Sequence, residues 1–290
     1  MPPPRSRTTW RFGKASSSSR QRTPWASQVA CDAIFNRGPE SRAFVRIVSW
    51  NIRAGGGVRA ERIARQLTRW SPSVVVLSEF RATPPSRALA ASLRKDGLVH
   101  QRTTARADRA PTNALLVASK WPLRRLAASF GAEEPCRWLA VRVASPQPFS
   151  LGALHVPCKV SGRKDAFHDA LISVAARWRR RPAILVGDSN SGLPGIDEQA
   201  PCFGAREQAF FESIAELDWS DAFRHRSGEA RAYTWYSPNG DNGFRLDQGF
   251  VSPRLLPRLA RVFHSWPGGR RCGLSDHAAL LIDFSAGTAA

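Results

Sequence analysis

The sequence predicts a layered α+β or α/β sandwich with helices on the outside, and three observations carry that expectation. Helical and strand patterns alternate early, strand-like runs follow one another in the middle, and short polar clusters sit where apolar strands begin or end. Phe44–Trp50 reads as a strand, and Ala60–Trp70 as an amphipathic helix. Val74–Leu77 is wholly apolar, as a strand buried on both faces should be. A second helix is expected over Ser86–Lys95, followed by strands at Ala114–Ala118, Leu139–Val143 and Phe149–His155. A long helix, Lys164–Arg179, precedes another short apolar strand at Ala183–Gly187. Ala205–Leu217 reads as helix, and Phe244–Val251 and Ala278–Phe284 as strands. No repeat of solenoid period is present.

At 290 residues and 42% hydrophobic content the chain can build a substantial core. Its formal charge of +20 is unusual and favours a polyanionic partner, nucleic acid or an anionic lipid surface. Arg far outnumbers Lys, so biased codon use is a competing explanation for part of that charge. The first 42 residues are rich in Pro, Ser and Arg and set eight basic residues against Asp32 and Glu40, which predicts a disordered basic extension. Most of the positive charge lies beyond it. Cys31, Cys136, Cys158, Cys202 and Cys272 are odd in number and lack metal-ligand spacing, as expected of reduced thiols in a cytoplasmic protein. No stretch is apolar enough to span a bilayer, and no signal peptide is recognisable. A monomer without stable membrane association is expected.

The chemistry lies in the polar clusters: Ser49-Trp50-Asn51, Ser78-Glu79, Gly187-Asp188-Ser189-Asn190 and Ser275-Asp276-His277. His155 closes one apolar run, and Arg245-Leu246-Asp247 opens another. Carboxylates, carboxamides and imidazoles delivered by rigid strands suit metal-assisted attack on a phosphate ester. Taken singly, each has a structural reading: Asp188 to Asn190 as a turn or helix cap, Asp276 as a turn residue, Asn51 as a loop start. Glu79 is harder to dismiss, because a charge ending a buried strand needs a partner. The clusters follow their strands early in the chain and precede them late. If neighbouring strands run antiparallel, both arrangements bring the side chains to one rim.

As an ordered set, Ser49-Trp50-Asn51, Leu77-Ser78-Glu79, Leu154-His155-Val156-Pro157, Gly187-Asp188-Ser189-Asn190, Arg245-Leu246-Asp247 and Ser275-Asp276-His277 resemble the endonuclease/exonuclease/phosphatase superfamily. Deoxyribonuclease I, exonuclease III and inositol-polyphosphate phosphatases share its fold, and the resemblance spans Ala43–Phe284. It implies a four-layer α/β/β/α sandwich of two mostly antiparallel sheets, active at one rim, with a catalytic domain over 43–286. It further implies Glu79 as principal ligand of a Mg²⁺ ion, or Mn²⁺ in its place, with Asn51 and Asp276 completing or orienting that site. Asp188 would orient or deprotonate the attacking water, Asn190 would hold a phosphate oxygen, and His155 would sit on the leaving-group side. His277 aligned by Asp247 would stabilise the transition state. Two departures pull in different directions. His155 stands where exonuclease III-like enzymes carry Tyr, whereas Tyr233-Thr234-Trp235 is more similar to that branch.

The resemblance leaves the substrate open, since the superfamily handles DNA, RNA, phospholipids and small phosphates. Lys159, Arg163 and Lys164, directly after the His155 strand, are candidate phosphate contacts, as is Arg245 beside Asp247. Arg102, Arg106, Arg109, Arg270 and Arg271 are further candidates, each also readable as solvated surface. The expected function is a metal-dependent nuclease acting on DNA or RNA. A phosphomonoesterase or phospholipid diesterase is the alternative, and an inactive nucleic-acid-binding module a third reading.

Overall fold

The computed structural model describes residues 44–127, 134–270 and 273–285. The basic extension expected over residues 1–42, and Arg271, lie outside them. Fourteen strands are described: β1 (Phe44–Asn51), β2 (Val74–Phe80), β3 (His100–Thr103), β4 (Ala114–Ser119), β5 (Leu123–Arg125), β6 (Trp138–Val143) and β7 (Phe149–His155), then β8 (Ala183–Asp188), β9 (Ser220–Asp221), β10 (Trp235–Tyr236), β11 (Gly243–Phe244), β12 (Asp247–Val251), β13 (Leu259–Ser265) and β14 (Ala279–Ser285). The helices are α1 (Ala60–Trp70), α2 (Pro84–Lys95), α3 (Lys164–Trp178), α4 (Ala205–Glu216) and α5 (Ala222–Ser227).

Two six-stranded sheets, ordered β13-β14-β1-β2-β4-β3 and β5-β6-β7-β8-β12-β9, pack face to face. Both are mixed: β1/β2 and β7/β8 pair in parallel, and the remaining neighbours are antiparallel. Three hydrophobic clusters define the layers. The central one joins the inner sheet faces through Val45, Ile47, Val74, Val76, Leu151, Ala153, Ile184, Val186 and Ile282. The outer face of the first sheet (Val48, Trp50, Val75, Leu77) is covered by Ile63, Ala64, Leu67 and Trp70 of α1 and by Leu89 and Leu93 of α2. That of the second (Leu154, Leu185, Phe250) is covered by Phe167, Leu171, Val174 and Trp178 of α3 and by Phe210 and Ile214 of α4. The helical spacing of these residues is what the amphipathic patterns predict.

The run expected as one strand over Phe244–Val251 is broken. Gly243–Phe244 pairs with β10 in a small separate hairpin, and Asp247–Val251 joins the second sheet. The break falls at Arg245 and Leu246, where the buried Arg245 guanidinium turns away to bind two carboxylates. Among the described residues no helix is long and apolar enough to cross a membrane, and Cys136, Cys158 and Cys202 are free thiols.

Strand parity and polarity position the site. Each sheet has a parallel pair at its centre, β1/β2 and β7/β8, whose C-terminal ends share a rim. Antiparallel β14 and β12 enter the sheets at that rim. Side chains alternate along a strand. Val45 and Ile47 face the inter-sheet core and therefore so does Asn51; Leu151 and Ala153 likewise set His155, and Ile184 and Val186 set Asp188.

Candidate active site

His155 and Asp188 are direct partners in the β7/β8 ladder, and Asp188 is also the partner of Asp247 across β8/β12. Asn51, from the opposite sheet, donates its Nδ2 to Asp188 Oδ2 at 2.9 Å. His155 Nε2 lies 3.7 Å and His277 Nε2 3.9 Å from the same oxygen. His277 Nδ1 in turn lies 2.9 Å from Asp247 Oδ2. One carboxylate oxygen is thus surrounded by an amide and two imidazoles drawn from three different strand ends, all nearly inaccessible to solvent.

Glu79 reaches this rim by a local irregularity. Parity along β2 would turn it outward, but the β2/β4 register shifts between Ser78 and Phe80, and Glu79 adopts a left-handed φ of 56°. A bulge of this kind re-aims a side chain, at a strain of roughly 1–3 kcal/mol. Three contacts hold the conformation: Ala54 N–H donates to Oε2 at 2.7 Å, Gly55 N–H to the Glu79 carbonyl at 2.8 Å, and Asn51 Nδ2 approaches Oε1 at 3.4 Å. The Gly55 position forces glycine, since its φ is +73° and a Cβ would sit 2.7 Å from Ser86 Oγ.

The Ser275-Asp276-His277 turn is tied to β1 by Ser275 Oγ, which donates to the Asn51 carbonyl at 2.6 Å and accepts from His277 N–H at 3.2 Å. Trp50 Nε1 donates to the His277 carbonyl at 2.9 Å, and Thr234 Oγ1 accepts the N–H groups of Leu246 and Asp247. Trp50 and Thr234 were not expected to hold the site; apolar or hydroxylic residues inside strand patterns give no such signal. Asp276 is 40% exposed and lies 3.7 Å from Arg53. Arg59 feels the charge of both Asp276 and Glu79, so the two carboxylates share one side of the rim.

Titration behaviour separates the two imidazoles. Burial pushes the His155 pKa down to about 4, which leaves it neutral near pH 7. Burial acts the same way on His277, but the charges of Asp247 and Asp188 outweigh it and raise its pKa to about 9. Burial raises the Asp188 pKa, with Asp247 adding to the rise and His277 opposing it.

The Glu79 and Asp276 carboxylates supply oxygen donors, and Asn51, whose Oδ1 accepts from Arg53 N–H at 3.0 Å while its Nδ2 faces Asp188 and Glu79, orients Glu79. Among the described residues Glu79 Oε1 has only the 3.4 Å Asn51 contact, and Asp276 Oδ2 only a long contact to exposed Arg53. Among the described residues no group of three or more His, Cys, Asp or Glu side chains is arranged to hold a metal ion as a zinc cage would. The set fits a hard cation that keeps several waters and takes one or two carboxylates, as Mg²⁺ does.

Asn190 also has a left-handed φ of 45°; its N–H donates to Asp188 Oδ1 and its Nδ2 to the Val156 carbonyl at 2.7 Å. One amide hydrogen therefore remains for a substrate oxygen. Two expected substrate contacts lie elsewhere. Lys164 is buried and pairs with Glu207 at 2.6 Å, linking α3 to α4. Arg245 is 1% exposed and bound to Asp197 and Asp221, 2.7 and 2.5 Å away. Both are structural, because a buried cation already matched to carboxylates has no capacity for phosphate. Arg163 is half-exposed but paired with Glu134, and Lys159 is exposed. Arg106 pairs with Asp108, and Arg270 with Asp241 while stacking 3.9 Å from the Tyr236 ring.

The fold has known counterparts. The 3'-5' exonuclease NExo from Neisseria meningitidis superposes with a TM-score of 0.67 at 20% identity, over 83% of this chain and 99% of that one. An AP endonuclease from Archaeoglobus fulgidus gives 0.68 at 19%, over 83% and 100%. The AP endonuclease LMAP from Leishmania major gives 0.68 at 19%, over 88% and 91%. At these identities the likeness is one of fold. No curated protein matches by sequence. A family model does match, across residues 48–277, the span that holds Asn51, Glu79, His155, Asp188, Asp247, Asp276 and His277, and by that match the chain belongs to the Endonuclease/Exonuclease/phosphatase family.

Proposed function

We propose that the chain is a divalent-metal-dependent phosphodiesterase whose main substrate is DNA. The observation that carries the reading is the His277–Asp247 pair facing Asp188 across 3.9 Å beside Asn51 and Glu79. In this scheme Asp188 accepts a proton from the attacking water, and its burial makes it a stronger base than an exposed aspartate. The water oxygen bonds to phosphorus as the ester P–O bond opposite it breaks, and the leaving oxygen takes a proton from solvent. His277, held protonated by Asp247, stabilises the charge on the phosphoryl oxygens. His155, neutral, serves as a hydrogen-bond donor rather than an acid. Asn190 offers its remaining amide hydrogen to a phosphoryl oxygen. Glu79 and Asp276, with Asn51 orienting Glu79, would hold a Mg²⁺ ion, or Mn²⁺, which when bound polarises the phosphate and screens its charge. Lys159 is the cation best placed to track the backbone. One chain supplies every group, so a monomer suffices.

DNA is favoured by the +20 charge and by neighbours described as DNA-processing enzymes, one of them a 3' phosphatase bound to a product DNA hairpin. The test is a panel of labelled single-stranded, double-stranded, abasic and 3'-phosphorylated oligonucleotides with phospholipid vesicles and inositol phosphates, each with Mg²⁺ and with chelator. Cleavage of internal or terminal DNA diesters that chelator stops is the expected result. Turnover of lipid or small phosphates alone would replace this reading.

A further inference from the structure

A buried imidazole lies outside the scheme above, on the far side of the Asp188 turn. His168, in α3, is 1% exposed, and its Nε2 lies 3.0 Å from the Oγ of fully buried Ser191. Its ring stacks on Phe210 of α4 with centroids 4.1 Å apart and planes 14° from parallel, which fixes its orientation. Among the described residues its Nδ1 is buried without a partner. An orphaned N–H costs more than an orphaned lone pair, so the proton belongs on Nε2, donated to Ser191.

Ser191 is the last member of a knot that holds the turn. Its carbonyl accepts from Gln248 Nε2 of β12 at 2.9 Å and lies 2.7 Å from Ser189 Oγ. Ser189 Oγ is also 2.8 Å from the Leu246 carbonyl, and Ser191 N–H donates back to it at 3.2 Å. The backbone of Ser189 donates to the same Leu246 carbonyl at 2.8 Å. Between these two serines stands Asn190, in its left-handed conformation, and immediately before them Asp188. Such a conformation persists only where its surroundings over-determine it.

We propose that His168 is a positioning residue: through Ser191 it locks the turn that presents Asp188 and Asn190 to the phosphate. The proposal rests on the hydrolytic reading of the site for its effect on rate, but not for its effect on the turn. A misplacement of about 1 Å in such a group lowers a rate on the order of 100-fold. The prediction is therefore a kcat effect with little change in KM.

The experiment compares His168→Leu, His168→Gln, Ser191→Ala and the Leu/Ala double variant in the full-length protein. Gln can place an amide N–H where Nε2 stands; Leu cannot. We expect His168→Leu to lower kcat for DNA hydrolysis about 100-fold with KM within about twofold, and Gln to restore most of it. The double variant should lose no more than the worse single, since both break one contact. Amide hydrogen exchange of the segment 188–192 should speed up in Leu and Ala variants and return towards wild type in Gln. Unchanged exchange in His168→Leu, or exchange that speeds up equally throughout α3 and α4, would overturn the proposal. So would a kcat loss that Gln does not relieve. If the wild-type protein hydrolyses no phosphate ester, the functional reading fails, and the exchange profile alone still decides whether His168 locks the turn.

Discussion

Asp247 and His277 illustrate how much of this site depends on charge held in place. The 2.9 Å contact aligns the ring and keeps it protonated against a burial effect that acts the other way. Asp247→Asn preserves shape but removes the charge, and kcat should fall by about 10²–10³, as loss of a group that stabilises transition-state charge does. Single-turnover cleavage at fixed pH measures it, and a variant within a few-fold of wild type would remove His277 from the chemistry. At this scale the sequence was informative wherever a polar residue terminated an apolar run. Asn51, His155, Asp188, Asp247 and His277 all stand at such positions, and all meet. It was uninformative about Lys164 and Arg245, because a cationic side chain looks the same whether it faces solvent or a buried carboxylate. The aim of Glu79 was hidden as well, since a bulge is a property of two strands together.

Elements deliver these residues, so their spacing is a functional quantity. Gly187 pairs with Leu154 across the β7/β8 ladder: its φ is +154°, and a Cβ there would stand 1.9 Å from the Leu154 carbonyl oxygen. Backbone cannot give way as a side chain can, so Gly187→Ala should force β7 and β8 apart, destabilising by about 3 kcal/mol or more and separating His155 from Asp188. Urea unfolding of the variant tests this; a stability equal to wild type would contradict it. Among the described residues, Arg245→Met leaves Asp197 with Arg224 as its one cation and Asp221 with backbone donors alone, and should lower stability by about 3–5 kcal/mol, as breaking a buried ion network does. Long, strongly patterned elements were legible in the sequence: α1 and β7 fall on the expected residues. The short strands β3, β5, β9 and β10 were not, and neither was β13. Strands this short have no period to detect, and β13 is an edge strand whose residues after Leu259 are partly buried or exposed with no alternation to read.

The molecule as a whole titrates and attracts. His168 and His264 are held neutral by burial, with pKa values pushed down to about 3; positive neighbours (Lys164 and Arg206 for the first, Arg245 and Arg224 for the second) add to the effect, and Glu207 and Asp197 oppose it. An unfolded histidine binds its proton near pH 6.5, so between about pH 6.5 and 3 the unfolded chain binds more protons and stability falls with pH. Each group should remove about 2 kcal/mol by pH 5. Urea midpoints at pH 7 and pH 5 measure it, with His264→Phe showing a shallower decline; equal slopes would contradict it. On the proposed nucleic-acid substrate the net charge should make affinity salt-dependent, and Lys159→Ala should reduce the slope of log K against log salt by about one. An unchanged slope would place Lys159 away from the backbone.

The most direct measurement is cleavage of a labelled DNA duplex by wild-type protein and by Asp188→Asn, each with Mg²⁺ and with chelator. The amide keeps the side-chain shape and one of the two acceptors that Asn51 Nδ2 and Asn190 N–H use, while abolishing the base. Metal-dependent cleavage by the wild type, reduced about 10²–10⁴-fold in the variant, is the predicted result. Equal cleavage by both proteins, or cleavage indifferent to chelator, would contradict it.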